Sequence, residues 1–171
     1  MRGILVDWII EVHLRFKLLP ETLFLTINLI DRYLDKTQIM RTRLQLVAVS
    51  ALLIASKYED VYPPELRDFV FISDNAYSKE EILEMERSIL ITLEFSISTT
   101  SPYRLLQRFC KIAKSNEVTF YLAQYLIELT LLEWRMLVYS PSEVAAAALF
   151  LACRILYRSY RNWTPELVKH T

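Results

Sequence analysis

The stretch "LQLVAVSALLIASKYED", residues 44–60, determines the fold expected for this chain. From Leu44 to Ala55 it is apolar on nearly every side, and Ala48, Ala51 and Ala55 recur at helical spacing. A helix without a polar face has to be buried, and small residues let neighbouring helices approach it closely. We therefore expect a bundle of helices around one central helix.

The composition of the whole chain also favours an all-α protein. Hydrophobic residues make up 53% of the 171 residues, which allows a sizeable core, and glycine occurs once, at position 3. The scarcity of glycine argues against a fold rich in tight hairpins, because type I′ and II′ turns depend on it. The longest apolar run, residues 144–153, is shorter than the ~20 residues of a membrane span, so we expect no membrane partner.

A weak repeat at an offset of 97 residues predicts two units. "TLFLTINLIDRYL", from Thr22, aligns with "TFYLAQYLIELTL", from Thr119, and "VAVSALLIASK", from Val47, aligns with "VAAAALFLACR", from Val144. Chance alignment of generic amphipathic helices is the alternative, but the ungapped shared register favours duplication. The prediction is an all-α fold of two tandem bundles, residues 1–98 and 99–171, with about five helices each and the second incomplete.

Turn and capping residues divide these units into helices. The predicted helices are 2–17, 21–35, 41–58, 63–71 and 78–93, then 102–114, 117–134 and 141–157, with a further start at Thr164. Pro63 and Pro64 are expected to open the fourth helix, because proline is tolerated in the first turn. Ser78 and Glu81 form a predicted capping box for the fifth.

Catalytic chemistry finds little support in the sequence. His13 and His170 belong to no metal-binding motif, and the single glycine excludes the usual glycine-rich phosphate loops. We expect no enzyme activity, no cofactor and no metal site. Cys110 and Cys153 lie in apolar helical patterns, which is typical of buried free thiols in a reducing compartment.

The charge distribution argues against a nucleic-acid partner. Residues 1–98 carry 11 Lys and Arg against 15 Asp and Glu, and residues 99–171 carry 9 against 5. Neither part is basic enough for a nucleic-acid surface, which needs a concentrated basic patch.

Four segments together carry a specific resemblance. "MRGILVDWIIEV", "RLQLVAVSALLIASKYED", "YPPEL" and "MERSILITLEF", in this order and spacing, are similar to the cyclin box. "ASKYED", "SDNAYSKEEI" and "YLIELTLLE" resemble the B-type mitotic cyclins more than other branches of the family. The resemblance implies a regulatory subunit that activates a cyclin-dependent kinase and controls mitotic entry, in the nucleus and cytoplasm.

The resemblance also implies a kinase-binding surface. Cyclins hold the regulatory helix of the kinase so that its glutamate pairs with the phosphate-binding lysine. By family position, Lys57 and Glu86 would bond the kinase backbone around that helix, and the same surface would include Tyr58, Glu59, Leu90, Phe95 and Ile97. Without the resemblance, Lys57 would be interpreted as a helix C-terminal cap, Glu86 as a solvated residue, and Phe95 and Ile97 as core.

The first helix is expected to serve a second site. "MRGILVDWIIEVHLRF" is apolar over roughly 240° of a helix, well beyond the ~100° stripe of an ordinary surface helix. In cyclins one side packs on the central helix and the other lines a groove for Arg-x-Leu peptides of substrates and inhibitors. The groove positions are Met1, Ile4, Leu5, Trp8, Glu11, Arg41, Leu44, Gln45 and Ile72. The apolar ones would take the leucine, and Glu11 the basic residue; Gly3 stands where the family usually has alanine.

Two further interpretations stay open. A transcription-factor-type cyclin fold that binds DNA or the transcription machinery is the alternative function, and the zero net charge disfavours it. Arg104, Arg108 and Lys111 share one face of a predicted helix. This basic stripe is either a solvated surface or a patch for phosphorylated partners.

Overall fold

The computed structural model describes residues 1–157, Trp163 and residues 165–169. The chain divides into two units, Met1–Thr99 and Thr100–Thr171. All regular structure in the described residues is helical, which confirms the all-α prediction. No helix there is long and apolar enough to cross a membrane. The predicted helix start at Thr164 and the second histidine, His170, lie outside the described residues.

The first unit is a five-helix bundle around α3. Its helices are α1 (Arg2–Phe16), α2 (Pro20–Lys36), α3 (Leu44–Glu59), α4 (Leu66–Ile72) and α5 (Lys79–Thr92), with a 3₁₀ turn at Arg41–Arg43. The α3 helix packs against each of the other four. Its residues 46–56 are buried without a break, which confirms the prediction of a central helix.

Hydrogen bonds fasten α5 to the bundle. The buried Ser50 hydroxyl of α3 donates to the Ile82 carbonyl at 3.1 Å, and the Tyr33 hydroxyl of α2 lies 2.9 Å from that of Ser88. A buried hydroxyl without a partner would destabilise the fold by ~1–3 kcal/mol. These contacts therefore determine how α5 lies against α2 and α3.

A second network fastens the α1–α2 turn to the end of α3. The carboxylate of Asp60 accepts hydrogen bonds from the Leu19 backbone N–H, at 2.9 Å, and from the Thr22 hydroxyl, at 2.6 Å. The ring nitrogen Nε2 of His13 lies 2.9 Å from the Leu19 carbonyl oxygen. Asp60, the C-cap of α3, thus joins the end of that helix to the first turn of α2, and His13 of α1 contacts the same turn.

The predicted start of the fourth helix is wrong. Pro63 and Pro64 lie before α4, which begins at Leu66 with Glu65 as its N-cap. The Glu65 backbone N–H donates to the Asp68 carboxylate at 2.8 Å, as half of a reciprocal capping box. This box satisfies the free backbone groups at the helix start, whereas a residue before proline is driven towards extended backbone. The predicted capping box of Ser78 and Glu81 is confirmed.

The second unit repeats the central pairing of the first. It contains α6 (Pro102–Ile112), α7 (Glu117–Thr130), α8 (Pro141–Tyr157) and α9 (Pro165–Val168), with a 3₁₀ turn at Trp134–Val138. The α8 helix packs on α6 and α7, so the two segments that repeat α2 and α3 in sequence also pair in space. The α7 helix ends four residues earlier than predicted, because Glu133 caps the 3₁₀ turn by accepting from the Arg135 backbone N–H at 3.1 Å.

The two thiols of this unit are buried and free, as predicted. Burial raises the pKa of the Cys110 thiol to about 11, although a hydrogen bond with Ser115 acts in the opposite direction. The thiolate is the reactive form of cysteine, so Cys110 is a packing residue.

Candidate functional site

Lys57 and Glu86, the two residues predicted to bond the kinase backbone, lie together. Lys57 is in the last turn of α3, and its Nζ donates to Glu86 Oε1 of α5 at 2.8 Å. The Glu86 side chain is 14% exposed, whereas that of Lys57 is half exposed. The ammonium has two further donors and the carboxylate further acceptor sites, so the pair can bond a partner's backbone without separating.

The two aromatic side chains of the same predicted set are exposed in this unit. Tyr58 is half exposed and Phe95 is 67% exposed, while Glu59, Leu90 and Ile97 are half-buried. The interpretation of Phe95 as a core residue is wrong, because Leu93 takes the buried position after α5. At the end of α5, the Phe95 backbone N–H donates to the Leu90 carbonyl at 2.9 Å, which fixes the position of Phe95 relative to Leu90. We call Lys57, Tyr58, Glu86, Leu90 and Phe95 the α3–α5 surface.

The backbone at the end of α5 is strained. Glu94 and Phe95 have φ angles of 53° and 57°, both in the left-handed region. Helices commonly end in this conformation with glycine, which has no Cβ to clash. An exposed aromatic residue held in such a conformation suggests a functional role. Sequence reasoning could not find this feature, because no glycine marks the position.

Most residues predicted to form a peptide groove line a cavity of about 290 Å³ on the first unit. Seven of the nine predicted residues line it, namely Met1, Ile4, Leu5, Trp8, Arg41, Leu44 and Gln45. The opposite side of α1 is buried through Val6, Ile9 and Val12, and Ile4 is 73% exposed. The wide apolar arc of α1 therefore serves two surfaces, the core and this cavity.

Gly3 does not disturb the cavity wall. It lies within α1, and a Cβ built on it would meet nothing within 4 Å. The fold therefore leaves room for the alanine that the resemblance implies at this position. The Arg2 guanidinium anchors the start of α1 by donating to both carboxylate oxygens of Asp31 in α2.

The remaining two predicted groove residues do not line the cavity. Glu11 is exposed one turn beyond Trp8 on α1, and Ile72 is half-buried at the end of α4. A contact that sequence reasoning missed lies further along α1, where the Arg15 guanidinium sits over the Phe71 ring, 5.9 Å from its centroid. No pattern in the sequence indicates it, because Arg15 and Phe71 belong to different helices, α1 and α4.

The basic stripe stays a prediction. Arg104, Arg108 and Lys111 are all exposed on α6. Lys111 lines a concavity of about 380 Å³ at the α6–α7 turn together with Lys114, whereas Arg104 and Arg108 do not. Across the described residues, no group of three or more His, Cys, Asp or Glu side chains could hold a metal ion.

Comparison with known proteins assigns the family. The profile of the cyclin N-terminal domain matches residues 1–98, and that of the cyclin C-terminal domain matches residues 100–171. The chain belongs to the cyclin family.

Curated relatives confirm the predicted likeness to B-type mitotic cyclins. All of this cyclin-family chain aligns with the G2/mitotic-specific cyclin-B of Dictyostelium discoideum, at 47% identity, and with that of Hydra vulgaris, at 51%. Cyclin-B2-1 of Oryza sativa subsp. japonica is 48% identical. The chain spans 39%, 47% and 40% of these three relatives, less than half of each.

Solved structures support the fold. A viral cyclin from herpesvirus saimiri matches with a TM-score of 0.87 at 24% identity, over 99% of this chain and 76% of that one. A chain of the CAK complex of Chaetomium thermophilum matches with a TM-score of 0.69 at 19% identity, over 99% of this chain and 59% of that one. Both confirm the cyclin-type arrangement of helices.

Proposed function

We propose that this chain is the regulatory part of a cyclin-dependent kinase complex. It binds and activates the kinase through the α3–α5 surface, contributes no catalytic residue, and recruits Arg-x-Leu substrates and inhibitors through the α1 groove. Its role is control of mitotic entry, in the nucleus and cytoplasm. The likeness to G2/mitotic-specific cyclin-B proteins supports the cell-cycle part of this proposal.

The observation that carries the kinase assignment is the Lys57–Glu86 pair, in one unit with the exposed ring of Phe95. Kinase activity requires the glutamate of the regulatory helix to reach the phosphate-binding lysine. A partner that binds the outer side of that helix keeps the glutamate pointing towards this lysine. Charged hydrogen bonds at the helix backbone and an aromatic anchor supply such a grip.

Preorganisation supports the same assignment. Asp60 holds the last turn of α3, and the hydroxyl bonds of Ser50 and Ser88 hold α5. The pair is therefore assembled before a partner arrives, which lowers the entropy lost on binding.

The groove assignment is supported by the shape and charge of α1. Five of the seven side chains that line the cavity of about 290 Å³ are apolar, of the kind that hold a leucine. Glu11 lies one turn further along the same helix face. It forms no ion pair with any described residue, so its carboxylate is available to a basic side chain.

The kinase assignment is tested with the double variant Lys57→Ala, Glu86→Ala. The kinase that the wild-type chain captures from cell extract is identified by mass spectrometry, purified, and used in titrations. We expect the double variant to bind at least thirtyfold more weakly, because an unpaired charged hydrogen bond in an interface costs ~2–5 kcal/mol. Its helical content should be unchanged, because removing both partners leaves no uncompensated charge in the fold.

Arg67→Ala is the matched control. It removes the cation of another ion pair, Arg67–Glu65, whose side chains are exposed, and it should bind the kinase like the wild type. Undiminished binding by the double variant would contradict the kinase assignment. Retention on heparin at moderate salt, without capture of a kinase, would favour the transcription-factor alternative.

A further inference from the structure

We propose that Arg15, stacked on Phe71, extends the α1 groove and selects peptides with an acidic side chain about two residues before their basic residue. The inference rests on the proposed groove and names the class of peptide that this groove prefers. The partner is an exposed segment with the pattern acidic-x-basic-x-leucine.

Four side chains lie along one side of α1. At 100° per residue, Ile4, Trp8, Glu11 and Arg15 fall within about 60° of one another around the helix axis. Along one line the helix therefore presents two apolar side chains, then a carboxylate, then a guanidinium. A peptide lying along this line meets the three chemistries in that order.

The spacing of the two charges matches an extended peptide. Glu11 and Arg15 are four residues apart, which is about 6 Å along a helix axis. Two residues of extended chain span about 6.6 Å. A basic side chain at Glu11 therefore places the residue two positions away beside Arg15, on the side opposite the leucine.

Arg15 does not pair with Glu11. Glutamate four residues before arginine is a favourable orientation for an ion pair within a helix. Instead the guanidinium lies over Phe71, 5.9 Å from the ring centroid. Neither Arg15 nor Glu11 takes part in an ion pair with a described residue. With Arg15 stacked on Phe71, both charges stay available to a ligand.

A stacked guanidinium can still bind a carboxylate. Phe71 is 66% exposed and Arg15 is exposed, so the surface is open to a ligand. Stacking uses the face of the guanidinium, while its N–H donors point outward in the plane of the group. Two of these donors match the two oxygens of a carboxylate. Charge complementarity therefore favours an acidic residue and disfavours a lysine or arginine at this position.

The test uses fluorescence polarisation with three labelled peptides that share the segment X-Ala-Arg-Ala-Leu, where X is glutamate, glutamine or lysine. We expect the glutamate peptide to bind the wild-type chain about fivefold more tightly than the glutamine peptide, and the lysine peptide to bind most weakly. Because the contact is exposed, added salt should reduce the preference.

Charge-reversal variants complete the test. Arg15→Glu should invert the order of the peptides, whereas Arg87→Glu, the same charge change at an exposed position on α5, should leave it unchanged. Phe71→Ala should weaken the preference, because Arg15 is then free to pair with Glu11. Circular dichroism checks that each variant folds.

A fourth peptide, with alanine in place of leucine, separates the inference from the groove itself. Leucine-dependent binding with equal affinity for the glutamate, glutamine and lysine peptides would overturn the role of Arg15 and leave the groove intact. Absence of leucine-dependent binding would overturn the groove, and this inference with it.

Discussion

Phe95→Gly is expected to separate kinase binding from folding. Phe95 follows α5 with a φ of 57° and is 67% exposed. Glu94, its neighbour, has a φ of 53° and is also exposed. Because both residues share the same backbone conformation, Glu94→Gly is a control that relieves the same strain without removing the aromatic ring.

The effect on folding is small because two contributions oppose each other. Glycine removes the ~1–2 kcal/mol cost of a left-handed residue, while its greater freedom in the unfolded chain costs ~0.5–1 kcal/mol. Loss of the buried third of the Phe95 side chain costs a further ~0.5–1 kcal/mol. The free energy of unfolding of Phe95→Gly should therefore lie within ~1 kcal/mol of the wild-type value. Glu94→Gly should be slightly more stable than the wild type.

The effect on kinase binding is larger. If a partner covers the exposed part of Phe95, it buries about 130 of the ~200 Å² that a phenylalanine can bury. At ~25 cal/mol per Å², this contributes about 3 kcal/mol, which corresponds to about a hundredfold in Kd. Glu94→Gly should change the Kd by less than about threefold, the effect of a rim charge.

Thermal unfolding by circular dichroism and titration with the purified kinase measure the two effects. Equal Kd values for Phe95→Gly and Glu94→Gly would refute the assignment of Phe95 to the kinase-binding surface. A large fall in the melting temperature of Phe95→Gly alone would refute the argument from exposure, because the ring would then be part of the core.

Three further results are expected. Trp8→Ala should lose Arg-x-Leu peptides in fluorescence polarisation while the Kd for the kinase stays the same; equal peptide affinity would rule out the groove. Hydrogen bonds from the backbone and hydroxyl of Ser140 lower the pKa of Glu143. This cap therefore stabilises α8 when the pH is above 4.5, the ordinary pKa of a glutamate, and its contribution is lost as the pH falls through the lowered pKa. Melts at pH 7 and pH 3 should therefore show a stability difference between wild type and Glu143→Gln that shrinks on acidification, and a constant difference would contradict the cap. If the basic stripe of α6 binds phosphate, calorimetry should give tighter binding of a phosphopeptide than of its unphosphorylated twin, and equal affinities would leave a solvated stripe.

Local patterns in the sequence were sufficient for the helices and for the central position of α3. Burial of residues 46–56 follows from a segment with no polar face, because only a buried helix can lack one. The capping box at Ser78 was equally predictable, because its two residues lie three apart and form it within one turn. The start of α4 was not predictable in this way, because the prolines and the capping box of Glu65 and Asp68 indicate different starts. The structure has the start that the capping box indicates.

The sequence by itself determined an all-α chain of the cyclin family, through the order and spacing of its motifs. Only the tertiary structure decided which side chains meet across helices. Lys57 and Glu86 are 29 residues apart and pair because α5 packs on α3. Arg15 stacks on Phe71 of α4 and does not pair with Glu11. Likewise Phe95 is exposed because Leu93 occupies the core at the end of α5. Such contacts depend on the packing of distant helices, and periodicity along one helix carries no information about its neighbours.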